Sequence, residues 1–176
     1  MNGEEGRQEV KSTVNTAVVL SGGNMGDTKA LIDKACRKLE ILCQTPIRRS
    51  SFCVSEPWGF DAAQFFYNQV WVFETAHTAE QLLDHLLHIE QEAGRQRIQQ
   101  EGYASRTLDL DLLFLGQQMI QNDKITVPHP RLHLRRFTLL PLVEVIPDFI
   151  HPTFLCSLAQ LLEQCSDPGH AQLEKP

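Results

Sequence analysis

The sequence predicts an α+β fold: a ferredoxin-like sandwich in which helices pack a mainly antiparallel sheet. Three observations carry this. The chain is 176 residues long and 42% hydrophobic, enough for one domain with a real core. Two segments, after Asp27 and after Thr78, show apolar spacing of helical period behind a capping residue. Four short runs rich in Val, Leu and aromatics flank them in the order β-α-β-β-α-β. The domain is expected over residues 14–167, with flexible tails at 1–13 and 168–176.

In chain order, 16–20 (TAVVL) reads as a buried strand closed by the SGGN turn at 21–24. Asp27 or Thr28 caps a helix to about Cys43, with Leu31, Ala35, Leu39 and Leu42 as its apolar face. Residues 48–55 form a second strand. Pro57 and Gly59 make 56–64 a loop, and 65–74 is a third strand. Thr78 and Gln81 form a capping box for a helix burying Leu82, Leu86, Ile89 and Ala93, which Gly94 stops. Residues 94–105 are polar and irregular, 107–115 is a strand, and 125–127 is a short one. Five prolines, from Pro128 to Pro152, punctuate short helical pieces thereafter.

Composition excludes several function classes. A net charge of −6 disfavours a generic nucleic-acid binder. No apolar run approaches the ~18 residues of a membrane span. The N-terminus carries Glu4 and Glu5 and does not read as a signal peptide. Five scattered cysteines without a CxxC fit reduced thiols, so a cytoplasmic location is expected, with no nucleic-acid, membrane or obligate protein partner.

Charge is uneven, however. Residues 94–137 hold seven cations against four anions, and six of the seven are Arg. The guanidinium fork suits phosphate oxygens, so an anionic ligand, a polyphosphate, is expected here, the alternative being a solvated basic face.

The stretch RTLDLDLLF at 106–114 is the most informative. On a strand, Asp109 and Asp111 share one face with Thr107, while Leu108, Leu110, Leu112 and Phe114 line the other. Two carboxylates at i and i+2 repel one another and need a cation. Mg²⁺ matches: it takes one or two carboxylates and completes its shell with phosphate. An isolated DxD more often just faces water, here pairing with Arg106. The Arg-rich loop beside it, carrying Arg95, Arg97 and Arg106, shifts the balance towards a lid over a nucleotide. Tyr103 either stacks on a base or packs locally. On the third strand, Phe66 and Asn68 face one side, an aromatic beside a carboxamide that suits a flat heterocycle, although an Asn there is more often a chance polar residue on a solvated face. His129, in the PHPR stretch, is placed to touch phosphate or ribose, or serves as a local hydrogen-bonding group. His129 and His133 are spaced like a zinc pair, but Pro130 bars a helix through both.

Taken in order, SGGNMGD, SEPWGF, FFYNQ, IEQEAGR, SRTLDLDLL and VPHPRLHLRRFTLLPL resemble the 6-hydroxymethyl-7,8-dihydropterin pyrophosphokinase family of folate biosynthesis. The resemblance runs from about Thr16 to Pro152, and its TLDLD and PHPR elements are the most specific. It implies an ATP-dependent diphosphotransferase that moves pyrophosphate from ATP to the pterin's hydroxymethyl oxygen and releases AMP. It implies two Mg²⁺ ions on Asp109 and Asp111, with Arg95 and Arg106 acting on the phosphates. Phe66 and Phe137 would sandwich the pterin, with Asn68 and the segment holding Ser55, Glu56, Pro57 and Trp58 at its edge. Glu90, Arg97, Tyr103, Leu112, Thr126, His129 and Arg135 would lie around ATP. This chain has Tyr103 where members often have Trp, and Ala104 and Ser105 where Gly-Pro is common.

Three other readings stand beside this one; the first, a catalytically inactive relative, is opposed by the presence of every charged group expected near the metal. A dinucleotide fold fails because the first glycine of GxGxxG is missing, and no Walker A frame surrounds Lys29. A ferredoxin-like nucleotide- or RNA-binding module without catalysis is the remaining alternative; the acidic balance and paired aspartates oppose it.

Overall fold

The computed structural model describes residues 13–59, 64–94 and 105–174. Its elements are β1 (Asn15–Gly23), α1 (Thr28–Cys43), β2 (Arg48–Arg49), β3 (Cys53–Ser55), β4 (Phe66–Thr75), α2 (Ala79–Glu92), β5 (Asp109–Leu115), β6 (Ile120–Gln121) and β7 (Thr126–Val127). A 3₁₀ turn (Leu132–Leu134), α3 (Arg136–Val145), α4 (Leu158–Gln164) and β8 (Ala171–Leu173) follow. The main sheet runs β5-β1-β4-β3-β8 with every pairing antiparallel, and β2 also pairs with β4. The α+β class and the antiparallel sheet expected from sequence are present. The expected N-terminal tail lies almost wholly outside the described residues.

Helices cover both faces. On one, α1 and α2 bury Ile32, Leu39, Leu82 and Leu86 against Val19, Trp71 and Leu110. On the other, α3 and α4 bury Leu139, Leu142, Leu158 and Leu161 against Val18, Leu20, Val70 and Val72. The second helix forms as its pattern predicts: the Thr78–Gln81 capping box is closed, and Gly94 follows it at φ +83°. α1 is capped by Asp27, whose side chain accepts from the Ala30 N–H at 3.2 Å. Its buried face is Thr28, Ile32, Ala35, Cys36 and Leu39. Leu42, expected inside, is exposed; it lies in the last turn of α1.

Four expectations are corrected. The SGGN segment does not close β1: Ser21 to Gly23 continue the strand, and the turn starts at Asn24. Residues 48–55 are two strands rather than one. Their register against β4 slips by one residue between Ser50 and Cys53; just before the slip the Ser50 N–H donates to the Val70 carbonyl and its hydroxyl accepts from the Val70 N–H, both at 2.9 Å. Phe114 does not share a face with Leu110 and Leu112. A register shift against Val18 and Val19 turns Leu113 and Phe114 to the α3–α4 side. Finally, the stretch from Pro168 is not loose over its described part: Ala171–Leu173 pairs with β3 and caps that sheet edge.

All five cysteines are free, and burial pushes the Cys36 thiol up to about 11 and that of Cys53 to about 12, as packing residues. His151 is 2% exposed, and its Nδ1 accepts from the N–H groups of Thr153 (3.1 Å) and Phe154 (3.4 Å). That geometry requires a neutral ring. Burial, helped by His133, holds His151 down at about 4. The unfolded chain protonates near 6.5, so this contribution to stability is complete above that pH. It is lost as pH falls towards 4 and changes no further below. We expect His151→Asn, which keeps a local acceptor without the titration, to remove a slope of about 1.4 kcal/mol per pH unit from that window, read from urea midpoints.

Candidate active site

The α3–α4 layer leaves one end of its sheet face uncovered, and a cleft of about 520 Å³ opens there. Its floor follows from register. Gly22 in β1 lies opposite Asn68 of β4 on one side and Asp109 of β5 on the other. Strand spacing therefore sets the Asn68 and Asp109 backbones roughly 10 Å apart, with a residue lacking a side chain between them. A Cβ on Gly22 would fall 2.6 Å from Asn68 Oδ1, so the glycine is what gives the carboxamide its place. One pair further, Asp111 lies opposite Leu20, and so faces the same way as Asp109.

The walls come from three directions. Ser55, at the end of β3, accepts at its Oγ from Asn68 Nδ2 at 3.2 Å. This turns Asn68, itself 3% exposed, so that its oxygen faces Gly22. Glu56 and Trp58 continue that wall, and Phe66 lies beside them. Opposite stands the entrance to α3, with Arg135 and Phe137. The Arg135 guanidinium lies 4.8 Å from the Trp58 ring centre and 5.8 Å from that of Phe137. Beside the aspartates is Arg106, whose Nη1 is ion-paired with Asp109 Oδ2; both side chains are about one-fifth exposed.

Asn24, which sequence reasoning missed, fixes the Arg106 backbone. Its Oδ1 accepts from the Arg106 N–H (2.9 Å), its own N–H donates to the Arg106 carbonyl (3.0 Å), and its Nδ2 donates to Ser105 Oγ (3.0 Å). The only sequence signal is an Asn after two glycines, which reads equally as a turn.

Most of the residues expected in the site thus converge: Ser55, Glu56, Trp58, Phe66, Asn68, Arg106, Asp109, Asp111, Arg135 and Phe137 line one cleft. Pro57 lies between two of them in sequence. Thr126 and His129 line a second cavity of about 800 Å³ next to β6 and β7. Burial, and then the Arg135 and Arg131 charges, lower His129 to about 4. The Arg131 N–H donates to its Nδ1 at 3.2 Å, leaving Nε2 to carry the proton of a neutral ring. Leu112 and Glu90 line neither cavity. Leu112 alternates with Asp111 and so enters the α1–α2 core. Glu90 is buried and accepts from the Leu110 N–H of edge strand β5 at 2.7 Å. Arg95, Arg97 and Tyr103, with most of the predicted lid, lie outside the described residues.

The donor set is oxygen-only. Among the described residues no group of three or more His, Cys, Asp or Glu is placed to hold a metal, so the protein offers the two aspartates. That fits Mg²⁺, which takes few carboxylates and fills its octahedron with phosphate oxygens and water. Softer metals would need imidazole or thiolate.

The family model for 7,8-dihydro-6-hydroxymethylpterin-pyrophosphokinase (HPPK) matches residues 18–147. The chain belongs to this family. It is a pyrophosphokinase, an enzyme of the transferase class. Among its relatives, the 2-amino-4-hydroxy-6-hydroxymethyldihydropteridine pyrophosphokinase of Haemophilus influenzae is 35% identical over 86% of this chain and 94% of its own length. The Synechocystis enzyme of the same name is also 35% identical, over 84% of this chain and 75% of its own. The folic acid synthesis protein fol1 of Pneumocystis carinii is 35% identical over 87% of this chain, which spans only 20% of that longer protein. Among solved structures, a Plasmodium falciparum HPPK-DHPS triple mutant superposes with a TM-score of 0.68 at 15% identity, covering 89% of this chain and 45% of the other. At that identity the likeness is one of fold. No helix among the described residues of this HPPK chain is long and apolar enough to cross a membrane.

Proposed function

We propose that this chain transfers a pyrophosphoryl group from ATP to 6-hydroxymethyl-7,8-dihydropterin in a Mg²⁺-dependent step of folate biosynthesis, giving AMP and the pterin diphosphate. One observation carries it: Asn68 and Asp109 flank the bare Gly22 on a shared sheet face, a heterocycle reader on one side and a carboxylate pair on the other. We further infer that β5-β1-β4-β3, with α1 and α2, form a ferredoxin-like unit that β8 extends, and that the enzyme works in the cytoplasm.

Phe66 and Phe137 flank the pterin ring, while Asn68 and the backbone from Ser55 to Trp58 read its edge. The hydroxymethyl group then lies over Gly22. Its oxygen attacks the β-phosphorus of ATP, the bond from that phosphorus to the oxygen bridging the α-phosphate breaks, AMP departs, and the alcohol proton passes to water. Asp109 and Asp111 would hold two Mg²⁺ ions, which when bound would neutralise charge on the triphosphate and help to orient it for attack by the hydroxymethyl oxygen. Arg106 adds fixed positive charge beside them. Arg135 and the neutral His129, with Thr126, lie on the ATP side; Arg95, Arg97, Tyr103, Glu90 and Leu112 are assigned to ATP by family resemblance alone.

Incubation with ATP, Mg²⁺ and the dihydropterin alcohol tests the reading. Phosphorus NMR should show AMP as the nucleotide product; ADP as the main product would overturn it. A second expectation concerns the floor. Gly22→Ala pushes the Asn68 oxygen aside, so KM for the pterin should rise about tenfold, the cost of one displaced buried hydrogen bond. KM for ATP should hold. An unchanged pterin KM would remove Asn68 from recognition.

A further inference from the structure

We propose that residues 167–170 form a strap that sets the width of the pterin cleft by tying its two walls together, with Asp167 as the positioning residue. This rests on the functional reading above. One wall is the entrance to α3, carrying Arg135 and Phe137; the other is the segment after β3 that carries Glu56 and Trp58.

Asp167 holds the first wall. Its Oδ2 accepts from the Arg136 N–H at 2.9 Å, and its carbonyl accepts from Arg136 Nε at 3.3 Å. The Cys165 carbonyl accepts from Arg136 Nη2 at 3.2 Å. Arg136 is the first residue of α3, where an N–H has no partner within the helix and a carboxylate meets the positive end of the helix dipole. The second carboxylate oxygen accepts from the Gly169 N–H at 3.0 Å, which turns the chain. One residue on, His170 takes hold of the other wall. Its carbonyl accepts from the Glu56 N–H at 3.1 Å, and its N–H donates to Glu56 Oε2 at 3.4 Å. The chain then enters β8, with Ala171 opposite Ser55.

A single carboxylate and three following residues therefore connect the helix that presents Phe137 to the strand end that presents Ser55 and Trp58. A ring held between Phe66 and Phe137 depends on their separation, and a shift of about 1 Å is enough to weaken such positioning. The strap is remote from Asp109 and Asp111 in the sheet order, at the β3–β8 edge rather than the β5 edge. Its loss should therefore be felt more by the pterin than by the nucleotide, which it reaches only through Arg135.

Steady-state kinetics on the full chain test this, varying each substrate at saturating levels of the other. Asp167→Ala should raise KM for the pterin about tenfold, the cost of a charged hydrogen bond, with kcat nearly unchanged and a smaller rise in KM for ATP. Asp167→Asn, which keeps an oxygen for the Arg136 N–H, should recover part of the loss. Should Asp167→Ala not fold, Arg136→Met removes only the two side-chain bonds and should still raise the pterin KM about threefold. An equal rise in both KM values, a fall in kcat alone, or no change in any variant overturns the strap. A wild-type chain that fails to turn over the pterin overturns the functional reading and the strap with it; an active wild type beside unmoved variants overturns the strap alone.

Discussion

Asp109→Asn and Asp111→Asn should each lower turnover by about 10³ or more while leaving pterin binding close to wild type. The amide keeps the shape of the side chain and removes the charge. On the proposed reading the two carboxylates are the protein's metal donors, so losing one would remove half its contribution. Pterin binding should survive because the groups proposed to read the ring lie across Gly22, on β4, after β3 and at the start of α3. Stability should move the opposite way from activity. Two like charges at i and i+2 on one face repel, so either substitution should raise the melting temperature of the free chain or leave it unchanged. Mg²⁺ with a nucleotide should stabilise the wild type and not the variants, by mass action. Near-normal turnover in either variant, or Mg²⁺ stabilisation that persists in both, would make the aspartates an ordinary solvated pair with Arg106.

The aspartate pair was legible because strand alternation is a local rule: residues two apart share a face whatever lies beyond. The same rule placed Phe66 with Asn68, and local capping chemistry placed α2. What sequence could not show is which strand lies next to which. Asn68 and Asp109 are 41 positions apart in the chain, and only the insertion of β1 between β4 and β5 brings them to either side of Gly22. The extra residues between Ser50 and Cys53 and at Leu113 were equally hidden, since a bulge depends on the partner strand and not on the strand's own pattern. Ala171–Leu173 has too few apolar residues to announce a strand; it forms because β3 offers an open row of backbone groups. Glu90 is placed around ATP by the resemblance alone; that it accepts from the Leu110 N–H of edge strand β5 depends on a contact between elements that its own sequence pattern does not show. Asn24 is invisible for a related reason, because its partners are 81 and 82 residues away.

Arg106→Ala should cost about 10³ in kcat/KM, with most of the loss in kcat. Transfer of a phosphoryl group spreads charge over oxygens in flight, and a cation already fixed beside them needs no reorganisation when that charge develops. Arg106 is fixed in this sense. Asn24 holds both its N–H and its carbonyl, and Asp109 holds its guanidinium. The ion pair itself adds little to stability, since both partners are about one-fifth exposed and water screens them. The variant should therefore melt near the wild type, which separates lost chemistry from lost folding. Arg106→Lys keeps a point charge without the planar fork, so it should recover only part of the rate. Asn24→Ala loosens the same backbone while leaving the guanidinium in place, and its smaller loss should not add to that of Arg106→Ala in the double variant, because both act through one group. A loss below tenfold for Arg106→Ala would reduce Arg106 to a partner of Asp109, and the charge at the transition state would have to come from elsewhere on the chain.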